Sequence, residues 1–191
     1  MAVSSTMIPI GTPAPDFNLP DPFGVLHRAG DLATAPALLV MFICNHCPYV
    51  QHLRERLAVV AAELQARDVA VVAVNSNDPD QYPEDAPERM AEEIDRFGYT
   101  FPYLFDEDQV VARTYRAACT PDFFLFDADR RLVYRGQFDD SRPGKDIPVT
   151  GGDLVAAVDA VLAGRPVPEP QRPSLGCSIK WRPGNEPEWA A

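Results

Sequence analysis

Ala37-Leu-Leu-Val-Met-Phe-Ile43 is an unbroken apolar run bounded by Pro36 and Cys44. With no polar alternation, it predicts a strand covered on both faces. The period then changes. Val50, Leu53, Leu57, Val60, Ala61 and Leu64 recur mostly at steps of three and four, which predicts a helix from about Pro48 to Arg67. Pro48 falls in the first turn, where a helix tolerates proline. Val69 to Val74 is a second buried strand, closed by the turn residues Asn75-Ser-Asn-Asp-Pro79. Two buried strands joined by a helix make a parallel βαβ unit with a right-handed crossover.

Upstream, Phe17 and Leu19 alternate with polar residues, Asp21-Pro-Phe-Gly24 forms a turn, and Val25 to His27 pairs back as a hairpin. Downstream, a helix is expected from about Pro87 to Phe97, stopped by Gly98, then a short strand at Phe101 to Phe105 and a helix at Asp108 to Ala117. Asp122 to Phe126 and Leu132 to Phe138 read as antiparallel strands joined by a hairpin-length link, and a last helix spans Asp153 to Ala163. This is the element order of an α/β thioredoxin-like fold, a central mixed sheet flanked by helices, with a strand–helix stretch inserted around Pro79 to Phe105. Residues 1–165 are expected to form that domain. Residues 166–191, with six prolines and few aliphatics, are expected to be an irregular extension.

Composition changes this little. Hydrophobic residues make up 46% of the 191, enough for a core, and the net charge is −11 with no run of Lys or Arg. Nucleic acid is thereby disfavoured as a partner, and so is an anionic membrane surface. No stretch approaches the about 20 apolar residues needed to span a bilayer. Met1 to Gly11 has no Lys or Arg and no long apolar run, so the chain is expected to be cytoplasmic. Its four cysteines, Cys44, Cys47, Cys119 and Cys177, are too few for a disulfide scaffold.

The candidate chemistry is Cys44-Asn-His-Cys47, between a buried strand and a helix. Unpaired N–H groups and the macrodipole at a helix N-terminus favour a thiolate, the reactive form. Two cysteines across the first turn can then attack and resolve through a mixed disulfide. The competing readings are an inert buried pair, and a metal site using Cys44, His46 and Cys47, which lacks the fourth ligand of a closed zinc site. A protonated His46 between the cysteines would stabilise a neighbouring thiolate; the bland alternative is a solvated histidine. Thr120-Pro121 precedes the Asp122 strand and is expected to be cis. In the thioredoxin fold that this element order resembles, a cis-proline at this point faces the cysteine pair and offers backbone to a bound chain, so Asn45, His46, Thr120 and Pro121 are the candidate substrate-binding residues. Cys119 and Cys177 are candidate extra redox thiols.

Gly11-x-Pro-Ala-Pro-Asp-Phe-x-Leu-Pro20, the Cys44-x-x-Cys47 junction and Thr120-Pro-Asp-Phe-Phe-Leu-Phe-Asp127 resemble the alkyl hydroperoxide reductase/thiol-specific antioxidant superfamily. Phe42-Ile-Cys-Asn-His-Cys-Pro-Tyr-Val50, Asn75-Ser-Asn-Asp78, Arg135-Gly-Gln-Phe-Asp-Asp-Ser-Arg-Pro143 and Gly176-Cys-Ser-Ile-Lys-Trp181 are similar to its peroxiredoxin-like subgroup within the thioredoxin family. The resemblance implies one of two mechanisms. In thioredoxin-like members the first cysteine attacks, making Cys44 the nucleophile and Cys47 the resolver. In peroxiredoxins the peroxidatic cysteine follows a Thr or Ser by three residues, which places it at Cys47. Here Cys44 replaces that hydroxyl residue, Val40 replaces a proline, and Thr120-Pro121 falls where an arginine belongs, so disulfide exchange is favoured. Thioredoxin's buried acid in the central strand has no counterpart in Ala37 to Ile43.

The expectation is thus a thiol–disulfide oxidoreductase working through the Cys44/Cys47 couple on protein or small-molecule disulfides and thiols, without cofactor or metal. The alternatives are a thiol peroxidase that consumes hydroperoxides at Cys47, and a Cys/His module holding copper or zinc. A homodimer is compatible with the superfamily.

Overall fold

The structure is a computed structural model and describes residues 2–190. The chain opens with β1 (Ala2–Ser4), β2 (Asn18–Pro20) and β3 (Leu26–Arg28), then β4 (Leu38–Phe42), α1 (Pro48–Gln65) and β5 (Ala70–Asn75). A 3-10 turn (Pro83–Asp85) leads into α2 (Pro87–Phe97), β6 (Tyr103–Phe105) and α3 (Val110–Tyr115). The second half holds β7 (Cys119–Thr120), β8 (Asp122–Phe126), β9 (Leu132–Gly136), α4 (Gly152–Leu162) and β10 (Leu175–Ser178).

The main sheet runs β6-β5-β4-β8-β9, with β4 parallel to β5 and antiparallel to β8. That central place explains the unbroken apolar run. Leu39, Met41 and Ile43 point into a core shared with Leu57 and Leu64 of α1 and Leu154 and Val158 of α4. Leu38, Val40 and Phe42 point the other way, against Phe17, Val111 and Tyr115. Both faces are covered, so neither register of side chains can be polar. Gly98 ends α2 in the left-handed conformation, φ 65°. The β2–β3 hairpin forms as expected. No helix among the described residues is long and apolar enough to cross a membrane.

The pattern did not predict β1, β7 and β10, which form a separate antiparallel sheet in the order β1-β10-β7. The extension from 166 is irregular over most of its length, yet Leu175–Ser178 is a strand stitched to the body. Its partners are distant in sequence: Ala2 opposes Cys177 and Thr120 opposes Cys177 from the other side. Flanking bonds fix it, from Ser5 N–H to the Ser174 carbonyl (3.0 Å) and from Ile179 N–H to the Ala118 carbonyl (3.1 Å). Further along, Lys180 N–H donates to Asn77 Oδ1 at 2.8 Å.

Gly176 sets how closely β10 approaches β7. A Cβ there would lie 2.0 Å from the Thr120 carbonyl oxygen, a backbone atom that cannot swing aside. Gly176→Ala is expected to push β10 off β7 at a cost of roughly 1–3 kcal/mol, as overpacking does. Denaturant unfolding and alkylation of Cys47 check this: a lower midpoint and faster alkylation are expected, and an unchanged pair of values contradicts the contact.

Candidate active site

Cys44 leaves the end of β4 and Cys47 is the N-cap residue of α1, with extended backbone (φ −69°, ψ 120°). The Asn45–His46 bend between them brings both thiols to one residue. Cys44 Sγ lies 3.2 Å from Thr120 Oγ1, and Cys47 Sγ lies 3.1 Å from the Thr120 carbonyl, to which its thiol donates. The Thr120–Pro121 peptide bond is cis. All four cysteines are reduced.

The two sulfurs differ in charge preference. Donation from the Cys44 thiol lowers Cys47 to about 5, against the penalty of burial, and the Cys177 thiol and the N–H groups of Val50 and Cys177 add to the effect. The Thr120 carbonyl works against that ionisation, because a thiolate can no longer donate to it. Cys44 is pushed well above the usual thiol range by burial, by holding the shared proton, and by the charge of Asp85. Ionisation is thus favoured at Cys47, at the helix N-terminus, over Cys44, which faces a carboxylate.

His46 does not serve the thiolate as expected. Its Nδ1 lies 2.5 Å from Asp85 Oδ2 and 3.9 Å from Cys44 Sγ. One nitrogen faces both groups, so a relay with an acid on one ring nitrogen and a sulfur on the other is not assembled. The ring stacks on Tyr82 at 4.6 Å. Asp85 is the hub that sequence reading missed. Its Oδ1 accepts from the N–H of Asn45 (2.8 Å) and of His46 (3.2 Å), and its Oδ2 accepts from Asn77 Nδ2 (2.7 Å). Burial raises its pKa, but the bonds from His46 and Asn77 outweigh this and hold it below the ordinary carboxylate value. Asn45 is buried by Tyr103, whose hydroxyl donates to Asn45 Oδ1 at 3.0 Å, and by a bond from its own amide to the Glu84 carbonyl. These bonds hold the bend in shape.

Cys44 Sγ, a His46 ring nitrogen and an Asp85 oxygen lie within 4.8 Å of one another. They are three potential metal ligands, with Asp85 taking the place expected for Cys47. A closed zinc site needs a fourth, and the Asp85 oxygens are already committed to hydrogen bonds. A second buried acid, Asp122, follows the cis proline and opposes Phe42 of β4. Its oxygens lack a hydrogen-bond partner of ordinary geometry, and burial raises its pKa well above the usual carboxylate range.

Access departs from expectation too. Cys44 and Cys47 are both 0% exposed. The edge of Thr120, expected to receive a partner chain, already carries β10 of the same chain, and Cys177 of that strand touches Cys47. Cys119 is buried, with its thiol hydrogen-bonded to the Pro121 carbonyl at 3.6 Å and its pKa raised well above normal by burial. A groove of about 360 Å³ opens beside Asn45 and His46 between Arg54, Arg89 and Glu93, but neither sulfur lines it.

Thiolate absorbance at 240 nm tests the charge assignment. In the reduced protein it is expected to rise with pH around a midpoint of about 5, to lose that transition in Cys47→Ser, and to shift it upward in Cys44→Ala, which removes the main donor. A low-pH transition that survives Cys47→Ser contradicts the assignment.

The sequence profile of the AhpC/TSA family matches residues 10–135. The chain is 30% identical over 128 residues to the thiol–disulfide oxidoreductase ResA of Geobacillus kaustophilus, an alignment covering 64% of this chain and 66% of that protein. Thus the chain spans just under two thirds of that relative's length. Among solved structures, a hypothetical protein from Sinorhizobium meliloti 1021 superimposes with a TM-score of 0.94 at 54% identity, covering 95% of this chain and 99% of its own. An uncharacterized conserved protein from Geobacillus kaustophilus gives the same TM-score of 0.94 and 54% identity, covering 96% and 98%.

Proposed function

This chain belongs to the AhpC/TSA family, and from that premise and the geometry of its dithiol we propose that it is a thiol–disulfide oxidoreductase using the Cys44/Cys47 couple. The observation that carries this reading is two thiols meeting on one residue, Thr120, at a helix N-terminus and beside the cis Thr120–Pro121 bond. The relative named a thiol–disulfide oxidoreductase supports it.

The reduced site works as follows. The Cys47 thiolate attacks a disulfide and forms a mixed disulfide, releasing one thiolate. Cys44 then attacks the Cys47 sulfur, its proton passing to the departing sulfur, and the second product leaves as a thiol. Two protein thiols become a disulfide and one external disulfide becomes two thiols. Thr120 holds both sulfurs, through its hydroxyl and its carbonyl. Protein thiols and disulfides are the substrate class.

A peroxidase working at Cys47 is the second reading, favoured by the position of the anion. The groups that chiefly hold that anion are thiols and backbone N–H, with no guanidinium among them, and this favours disulfide exchange. Insulin reduction separates the readings. Cys44→Ser and Cys47→Ser are each expected to lose turnover. Activity equal to wild type in both variants, or rapid peroxide consumption that survives Cys44→Ser but not Cys47→Ser, overturns the proposal.

A further inference from the structure

Cys177 is a half-buried residue, whereas Cys44 and Cys47 have no solvent exposure. Several independent features fix its position. Its backbone pairs antiparallel with Thr120, next to the cis proline. Gly176 presses against the Thr120 carbonyl too closely for any side chain. Ser174 and Ile179 are hydrogen-bonded to the body on either side. β1 covers the outer edge of β10, so the strand is held from both sides. In this setting Cys177 lies opposite Thr120, whose carbonyl takes the Cys47 sulfur at 3.1 Å, and packs against the core cluster that holds Cys44 and Cys47. An extended segment added to a sheet edge, with one cysteine turned to a reactive sulfur, is how a cysteine-bearing partner strand would dock. Here the chain supplies that strand itself.

We propose that Cys177 is the exchange port of the buried dithiol: a disulfide between Cys44 and Cys47 shifts to Cys47 and Cys177, and a partner's thiol attacks it at Cys177 Sγ. This rests on the reading of Cys44/Cys47 as a redox couple.

Each step is a thiol–disulfide exchange. The Cys177 thiolate attacks Cys47 Sγ, the bond to Cys44 breaks, and Cys44 leaves with the electron pair and takes up a proton. No electrons are gained or lost. A partner thiolate then attacks the exposed Cys177 Sγ, and Cys47 leaves as a thiolate. The partner's second thiol attacks the partner sulfur of that mixed disulfide and releases Cys177. The partner dithiol has lost two electrons and the protein disulfide has gained two. A low-pKa thiol leaves fastest, so Cys47 suits the second step. Cys177 is raised to about 11 by burial and by its bond to Cys47. The second cause vanishes once Cys47 is in a disulfide, which frees Cys177 for the first step.

Disulfide mapping and reduction kinetics test the proposal on the full chain. Reduced wild type and Cys44→Ser are oxidised with one equivalent of diamide, quenched in acid, alkylated and mapped by peptide mass spectrometry. Both Cys44–Cys47 and Cys47–Cys177 links are expected in wild type, and the Cys47–Cys177 link in Cys44→Ser. Oxidised Cys177→Ser and Cys177→Ala, which keep the Cys44–Cys47 link, are expected to be reduced by dithiothreitol roughly ten-fold or more slowly than wild type, for want of an exposed sulfur. Wild-type reduction rates in folded Cys177 variants, or no Cys47–Cys177 link in either protein, overturn the port. If the Cys177 variants do not fold, the wild-type map decides alone. Absence of any Cys44–Cys47 link in wild type is a different failure, that of the underlying redox reading.

Discussion

Thr120 is the residue on which the site depends. Its hydroxyl meets the Cys44 sulfur, its carbonyl meets the Cys47 sulfur, and its backbone pairs with Cys177. One residue before a cis proline therefore gathers three thiols from a loop, a helix start and the C-terminal extension. The charge distribution follows from that gathering. Ionisation is favoured at Cys47, at the helix N-terminus, whereas Cys44, which faces Asp85, and Cys177 are both raised and keep their protons.

Burial gives this arrangement its character. A thiolate taken out of water is costly unless donors surround it. The sulfurs and N–H groups around Cys47 supply that compensation, and the Asp85 hub keeps the Asn45–His46 bend in the shape that presents them. The same burial excludes bulky oxidants and large partner surfaces from the pair. Chemistry at Cys47 requires either lifting β10 or passing through Cys177, and the bonds flanking β10 favour the second route.

The scaffold was largely legible in the sequence because its signals are local. The Ala37 to Ile43 run, the spacing from Val50 to Leu64 and the Gly98 stop each follow from side chains within a few residues. The cysteine pair was legible through its place between strand and helix. What escaped depends on distant partners. Leu175–Ser178 carries no alternation, and becomes a strand only because Thr120 on one side and Ala2 on the other satisfy its backbone. Asp85 looked like any acid of the insert beside Glu84 and Glu88, since nothing local says that Asn45, His46 and Asn77 will surround it. Which sulfur ionises more readily also turns on distant partners: Cys47 caps α1, while Cys44 faces the Asp85 carboxylate.

A thiolate stabilised in the reduced form raises the reduction potential of its couple. Equilibration of the Cys44/Cys47 couple against defined glutathione ratios therefore tests the account most directly. A single two-electron transition at a potential clearly above that of thioredoxin, about −270 mV, is the predicted result. A potential at or below that value, or no transition assignable to the two cysteines, would contradict it.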